Sequence, residues 1–289
     1  MLGGHLVRFF AGRGAAVRAG VRRASDYHPP MPGAVPGGVP GAGVVPFDCD
    51  LPDRLDRTAL DGADACIHCA YATRSRSPAQ AKRTNEDGTR AVYEACRQAD
   101  MARFVFVSSL SAHDGARSYY GRSKFALEQM MDPKRDLIVR PGVLLALRSG
   151  LFARIVDVIR RRSIIPLIGA GRQRLQVLHV DDCCRAMGAA VDKALTGRIV
   201  LAHPTPITMR QLIDEVARRL DRRLHYLPLP AAPTLAALKT AQWLRLPMPV
   251  TSDNLLGLLS MRPQDPTDDL KRLGVDVLAV QESLDLLLA

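Results

Sequence analysis

The sequence holds no uninterrupted apolar run long enough to cross a bilayer, so no transmembrane helix is expected. Aromatic residues make up only 5%. None alternates with basic residues as a base-stacking surface would, so no nucleic-acid partner is expected despite a formal charge of +11. That charge is nearly all arginine, spread through stretches such as RIVDVIRRRS and EVARRLDRR with acids among them. It suits steering of an anionic small ligand. Metal-ligand spacing is equally scarce. Cys66-Ile67-His68-Cys69 has it, but no second pair follows, and DACIHCAYA also reads as a buried strand. No metal is expected. Several of the six cysteines sit in apolar runs, which fits a reduced, cytoplasmic setting.

Acids are missing from the opening segment: the first is Asp26, and five arginines precede it. That composition matches a mitochondrial transit peptide. The order of residues matches something else, a helix over Gly3–Arg13 stopped by Gly14 and followed by a short strand, AAVRAGVRR.

What is present is ample for a core. The 289 residues are 47% hydrophobic, enough for one large α/β domain or two joined lobes. PPMPGAVPGGVPGAG, residues 29–43, reads as a surface loop. GVVPFDCDL then reads as a strand, DRLDRTALDGAD as a short helix, and DACIHCAYA as a strand buried on both faces. A long helix over 78–100 leads to the buried strand RFVFVSS, the helix SYYGRSKFALEQMM and the strand DLIVRPG. This alternation predicts an α/β fold with a doubly wound, Rossmann-type parallel sheet. Right-handed crossovers place its ligand-binding loops along one edge. Later come the strand RIVLAHP, a helix opened by a Thr208/Gln211 capping box, and a Leu- and Pro-rich helical tail. The expected division is a dinucleotide-binding domain over 1–142, with 179–203 returning to its sheet. A small C-terminal substrate lobe takes 143–178 and 204–289.

The sharpest chemical signal is Tyr120-Gly121-Arg122-Ser123-Lys124. On a helix, residues four apart share a face, so the Lys124 ammonium can approach the Tyr120 phenol. A nearby cation favours phenolate and lowers the pKa of a tyrosine, fitting it for proton transfer at a hydroxyl or carbonyl. Ser108, Ser109 and Ser111 end the preceding strand, where one could hold a substrate oxygen. The duller reading of Tyr120 and Lys124 is an exposed helical pair. Asp181-Asp182 could be paired catalytic carboxylates or the cap of the following helix. His68 and His179 read as strand-packing residues.

At these residues the chain resembles the extended short-chain dehydrogenase/reductase family, the NAD-dependent epimerase/dehydratase group. GGHLVRFFAGRGAAVRAGVRR resembles that family's first helix and second strand, and FDCDL its adenine-contacting segment. CIHCAYA, the N-x-x-G-T of Asn85, Gly88 and Thr89, FVFVSSLSA, YYGRSK, IVRPG and LQVLHVDDCCRAM resemble later segments in order. The resemblance implies Ser109 as holder of the substrate oxygen, with Ser111 its rival. It implies Tyr120 as acid/base, and Lys124 as the group that tunes Tyr120 and binds the nicotinamide ribose. It further implies Gly3, Asp50, Leu51, Ala70, Asn85 and Pro141 beside an NAD or NADP cofactor. Arg22 and Arg23 end the second strand where an acid would bind the ribose 2′-hydroxyl of NAD, which favours NADP.

Of the family's G-x-x-G-x-x-G fingerprint only Gly3 is matched; the first strand and first two glycines are absent. The opening is therefore read as a truncated dinucleotide fold rather than a leader. The implied function is an NAD(P)-dependent oxidoreductase or epimerase. The resemblance implies hydride transfer at a carbinol carbon of a small molecule, a nucleotide sugar or a smaller carbonyl compound, and a homodimeric partner. The alternative is a non-catalytic nucleotide-binding or assembly protein of the same fold.

Overall fold

The computed structural model describes residues 2–27, 43–73, 75, 77–244, 246 and 250–289. The expected loop over 29–43 lies outside the described residues except for Gly43. The chain begins with helix α1 (Leu2–Gly12) and strand β1 (Val17–Val21), joined through Gly14 at φ 83°. A left-handed glycine there stops the helix without the cost a side chain would meet. Strand β2 (Val44–Asp50) pairs in parallel with β1 and turns back into the two-residue β3 (Arg54–Leu55). A 3₁₀ turn over Arg57–Leu60 follows, capped by Asp56. The short helix expected here is thus a strand and a turn, because Arg54 and Leu55 find ladder partners in Asp50 and Cys49.

Strand β4 (Ala65–His68) leads to helix α2 (Pro78–Lys82), a π-helical turn over Arg83–Asp87, and helix α3 (Gly88–Gln98). The expected single long helix is therefore interrupted at Asn85. Strand β5 (Arg103–Val107), helix α4 (Tyr119–Glu128), strand β6 (Leu137–Pro141) and strand β7 (Val143–Leu145) come next. After them run α5 (Leu151–Arg161), β8 (Ile164–Ile168), β9 (Arg174–Leu175), β10 (Val177–His179), α6 (Val180–Asp192) and β11 (Gly197–Leu201). The chain closes with β12 (Ile207–Thr208), α7 (Met209–Arg219), β13 (His225–Leu229), α8 (Ala231–Trp243), α9 (Ser252–Leu259), α10 (Thr267–Leu273) and α11 (Val280–Leu288). Helix α7 carries the expected capping box of Thr208 and Gln211.

Two compact units emerge: 1–108, 126–139 and 184–199 form the first, and 109–125, 140–183 and 200–289 the second. In the first, a Rossmann-type parallel ladder runs in the order β11-β6-β5-β4. Its core packs Phe104, Phe106, Leu127 and Ile138 against Val92 and Cys96 of α3. A separate ladder holds β1, β2 and β3, and among the described residues no strand bridges β1 to β4. That explains a difference from expectation in β4. Only His68 is buried there, while Ala65, Cys66 and Ile67 are half-buried, since β4 is an edge strand with one paired side. His68 stacks between Phe104 and Phe106, with centroids 6.1 and 6.2 Å away. It is a packing residue, as its sequence context suggests.

The second unit has its own core, where Phe152, Val156 and Ile159 of α5 meet Leu212 and Val216 of α7 and Leu284 of α11. Asp182, wholly buried at the start of α6, accepts from the Leu278 backbone N–H at 2.8 Å. It anchors the segment before α11. His179 accepts from the Asp181 N–H at 3.2 Å within the first turn of α6.

Candidate functional site

In the second unit, three sequence-predicted residues come together. Residues Phe104–Val107 are buried because aromatic and β-branched side chains fit a covered sheet, and the chain leaves β5 through a run of serines. Ser108 is spent on Glu128, to which its hydroxyl donates. Ser109 accepts from the Ser111 backbone N–H at 3.1 Å and hydrogen-bonds the Tyr120 phenol. Of the two candidate serines, Ser109 is the one whose hydroxyl meets the tyrosine. Lys124 lies one helical turn beyond Tyr120 and is buried, with only 3% of its surface exposed. An exposed helical pair does not describe these residues.

The start of α4 is fixed from three sides. Ser118 accepts from the Gly121 N–H at 3.0 Å, in the manner of an N-cap. The Asp253 carboxylate, at the start of α9, accepts from the N–H groups of Tyr119 at 2.5 Å and Tyr120 at 3.3 Å. Gly121 lets the helix sit on the Ser111 backbone, for a Cβ there would lie 2.3 Å from the Ser111 carbonyl oxygen. Nothing in the sequence links Asp253 to a helix some 130 positions away. Asp253→Ala orphans two helix-start N–H groups and removes a favourable charge from the positive end of the dipole. The expected cost is about 1–2 kcal/mol, read as a lowered thermal midpoint.

The Tyr120 phenol departs from expectation. Its pKa stands above the ordinary tyrosine value, because burial disfavours the phenolate; the Ser109 hydrogen bond acts in the opposite direction and is the smaller effect. In this state the phenol is held in its neutral form.

The first unit holds the residues expected beside a dinucleotide. The segment after β4, with the exposed Ala70, is clamped at Ala72. Asn85 accepts from its N–H at 2.7 Å and donates to its carbonyl at 3.0 Å. Thr89 donates to the Asn85 carbonyl at 2.6 Å and lies 3.0 Å from His68 Nε2. The Asn85 side chain is therefore occupied in holding this loop, and the π-helical turn is what aims it there. Gly88 permits close packing of Leu51, whose Cβ would stand 2.8 Å from a Cβ at that position. A cavity of about 480 Å³ opens beside Asp50, Leu51, Pro52, Gln80, Arg83 and Thr84.

Arg22 and Arg23 are exposed just beyond β1, and neither guanidinium has a carboxylate partner among the described residues. Their loop is held by Asp48, which accepts from the Ala24 N–H at 2.7 Å, and by Arg54, which donates to the Arg22 carbonyl at 2.8 Å. Gly3 is less constrained than a phosphate-approaching glycine, since a Cβ there would meet only the Cys69 Cβ, at an ordinary 3.8 Å. Pro141 is buried at the end of β6.

Comparison with known proteins gives the family and the fold. Residues 1–202 match the model of the NAD dependent epimerase/dehydratase family. Among curated relatives, a ceramide reductase of Caulobacter vibrioides is 33% identical over 204 residues, 70% of this chain and 61% of that protein. The mitochondrial NADH dehydrogenase [ubiquinone] 1 alpha subcomplex subunit 9 of Arabidopsis thaliana is 25% identical over 190 residues, 63% of this chain and 45% of that protein. The chain thus spans about three fifths or less of these relatives. Among solved structures, MoeE5 in complex with UDP-glucose and NAD superposes with a TM-score of 0.75 at 18% identity, covering 99% of this chain and 94% of that one. Human epimerase family protein SDR39U1 with NADPH gives 0.73 at 18% identity, covering 99% and 95%. These structures share the fold. With the family model covering more than two thirds of its length, the chain belongs to the NAD-dependent epimerase/dehydratase family.

Proposed function

We propose that the chain is an NAD(P)-dependent oxidoreductase or epimerase acting at a carbinol or carbonyl carbon of a small molecule, with a nucleotide sugar as the leading substrate class. The observation that carries this reading is the Tyr120 phenol hydrogen-bonded to Ser109, with buried Lys124 one turn away. The first unit fits a dinucleotide by its donor set. Asp50 can accept from an adenine amine, and Leu51 offers an apolar wall on the same cavity. Arg22 and Arg23 stand free for a 2′-phosphate. Ala70 borders the ribose–phosphate path, with Asn85 holding its loop. Gly3 and Pro141 complete the cofactor set. When bound, the nicotinamide would supply or accept the hydride. Ser109 holds the substrate oxygen, Tyr120 gives it a proton or takes one from it, and Lys124 places positive charge on that face of α4. The name of the Caulobacter relative and the UDP-glucose in MoeE5 support carbonyl chemistry and a nucleotide-sugar ligand respectively.

Titration with NADH and NADPH, followed by nicotinamide fluorescence, tests the cofactor half of this reading. Saturable binding with a preference for NADPH is the expected result. Replacing Arg22 and Arg23 together by alanine should weaken NADPH about tenfold and leave NADH nearly untouched. Equal loss for both coenzymes would assign the arginines a structural role.

A second reading, a non-catalytic subunit of a larger assembly, draws support from the Arabidopsis relative. It expects no coenzyme turnover, and function untouched by loss of the Tyr120 hydroxyl.

A further inference from the structure

Strands β8 and β13 make a parallel two-stranded ladder in the second unit, with Ile164 opposite His225 and Pro166 opposite Leu227. Ile165 and Leu167 point inward and are buried in the core of that unit. The outer face is apolar and open. Ile164 is 62% exposed, Leu227 is 52% exposed, and Pro166 is exposed as well. The ladder is closed at its start by the His225 N–H, which donates to the Ser163 carbonyl at 2.7 Å.

Parallel strands begin at the same edge, and each of these begins after a run of arginines. Arg160 and Arg161 end α5 with Arg162 as its cap, and Arg222 and Arg223 follow α7. Arg162 and Arg223 each stand two residues before a paired position, so the register brings both runs to one edge of the apolar face. All five are exposed. Basic residues in the last turn of a helix suit its dipole, and Arg161 is also paired with Asp157 at 2.7 Å. That accounts for Arg160 and Arg161. Arg162, Arg222 and Arg223 lie past the helix ends, and none has a carboxylate partner among the described residues. Acids are scarce along both strands: the sequence has none from Val158 to Val180 and none from Arg222 to Ser252. An open aliphatic face edged by unspent guanidinium groups fits an anionic partner.

A second copy seated on this face would set arginine against arginine. Nucleic acid would find no ring to stack on. Tyr226, the aromatic residue of β13, is half-buried; its hydroxyl donates to Asp214, and Arg210 lies over its ring at 4.5 Å. Anionic lipid matches both halves of the surface. Aliphatic side chains enter the headgroup–acyl boundary, and guanidinium groups hold lipid phosphates. Among the described residues no helix is long and apolar enough to cross a membrane. We propose that the β8–β13 face docks the protein peripherally on anionic lipid, with Ile164 and Leu227 inserted and Arg162, Arg222 and Arg223 against the headgroups.

The test is co-sedimentation of the full chain with vesicles of equal parts phosphatidylcholine and phosphatidylglycerol, and with phosphatidylcholine vesicles alone. Binding to the anionic vesicles only, weakening as salt is raised, is expected. Arg162→Gln combined with Arg223→Gln removes two charges from the edge and should weaken binding about thirtyfold. The control takes the same charge from the turn before β6, where Lys134 and Arg135 are exposed. Lys134→Gln combined with Arg135→Gln should leave binding nearly unchanged. Ile164→Ser combined with Leu227→Ser should weaken it at least about tenfold. If the serine variant does not fold, the arginine pair, which alters no apolar group, still decides. Four results would overturn the proposal. One is no binding to anionic vesicles, and another is binding that survives loss of Arg162 and Arg223. An equal loss in the control would assign the binding to net charge alone. Duplex DNA binding that needs Arg162 and Arg223, with vesicles left unbound, would assign the edge to nucleic acid.

Discussion

Replacing Tyr120 by phenylalanine is expected to lower coenzyme turnover by about 10²–10⁴-fold while coenzyme affinity stays nearly unchanged. The ring keeps its packing, so only the hydroxyl is lost. That hydroxyl is hydrogen-bonded to Ser109 and able to exchange a proton with a substrate oxygen. The raised pKa gives the forward and reverse rates different pH dependences. Burial keeps the phenol neutral beyond the ordinary tyrosine value of about 10, so carbonyl reduction, which consumes the proton, should hold its rate through neutral and moderately basic pH. Alcohol oxidation needs the phenolate and should climb with pH over that range. Ser109→Ala removes the interaction that lowers the pKa, and should move both limbs further upward. The same shift affects stability with a definite sign. The folded chain favours the neutral phenol, so the contribution is full below the unfolded tyrosine pKa and is lost as pH rises through the folded one. Full activity in the Tyr120→Phe protein would remove the proton-transfer role and favour the non-catalytic reading.

Much of this cluster was legible because it is local. Tyr120 and Lys124 are four apart on one helix, and the serines end the strand before it, so spacing alone brings them near. The parallel ladder was legible from alternation of apolar strands with amphipathic helices, and β5 and β6 are buried as their composition suggests. What escaped was set by partners distant in sequence. The burial that raises the Tyr120 pKa depends on packing around it, which no local pattern encodes. The clamp of Asn85 on Ala72 depends on a π-helical turn, inside a stretch whose pattern reads as one continuous helix. Half-burial of β4 follows from which strands pair, and that is a property of the ladder rather than of ACIH.

Gly121→Ala is the substitution that should separate activity from stability most sharply. In a helix interior, alanine is favoured over glycine by about 1 kcal/mol. Gly4 shows that ordinary case, since nothing lies within 4 Å of a Cβ placed there. Gly4→Ala is therefore the control, expected to be stabilising and to leave turnover alone. At Gly121 the new methyl would lie 2.3 Å from the Ser111 carbonyl oxygen and 2.9 Å from the Ala116 Cβ. A backbone carbonyl cannot swing aside as a flexible side chain can, so α4 has to lift from the Ser111 segment. Overpacking of this kind costs about 1–3 kcal/mol, part of which the helix preference of alanine offsets. The thermal midpoint should fall only modestly. Activity should fall much further, because the residue that moves with Gly121 is Tyr120 and the segment it moves away from carries Ser109. Misplacement by about 1 Å is worth on the order of 10²-fold in rate. Wild-type turnover in Gly121→Ala, alongside a measurable loss of stability, would mean that the seat of α4 on Ser111 does not set the position of the acid.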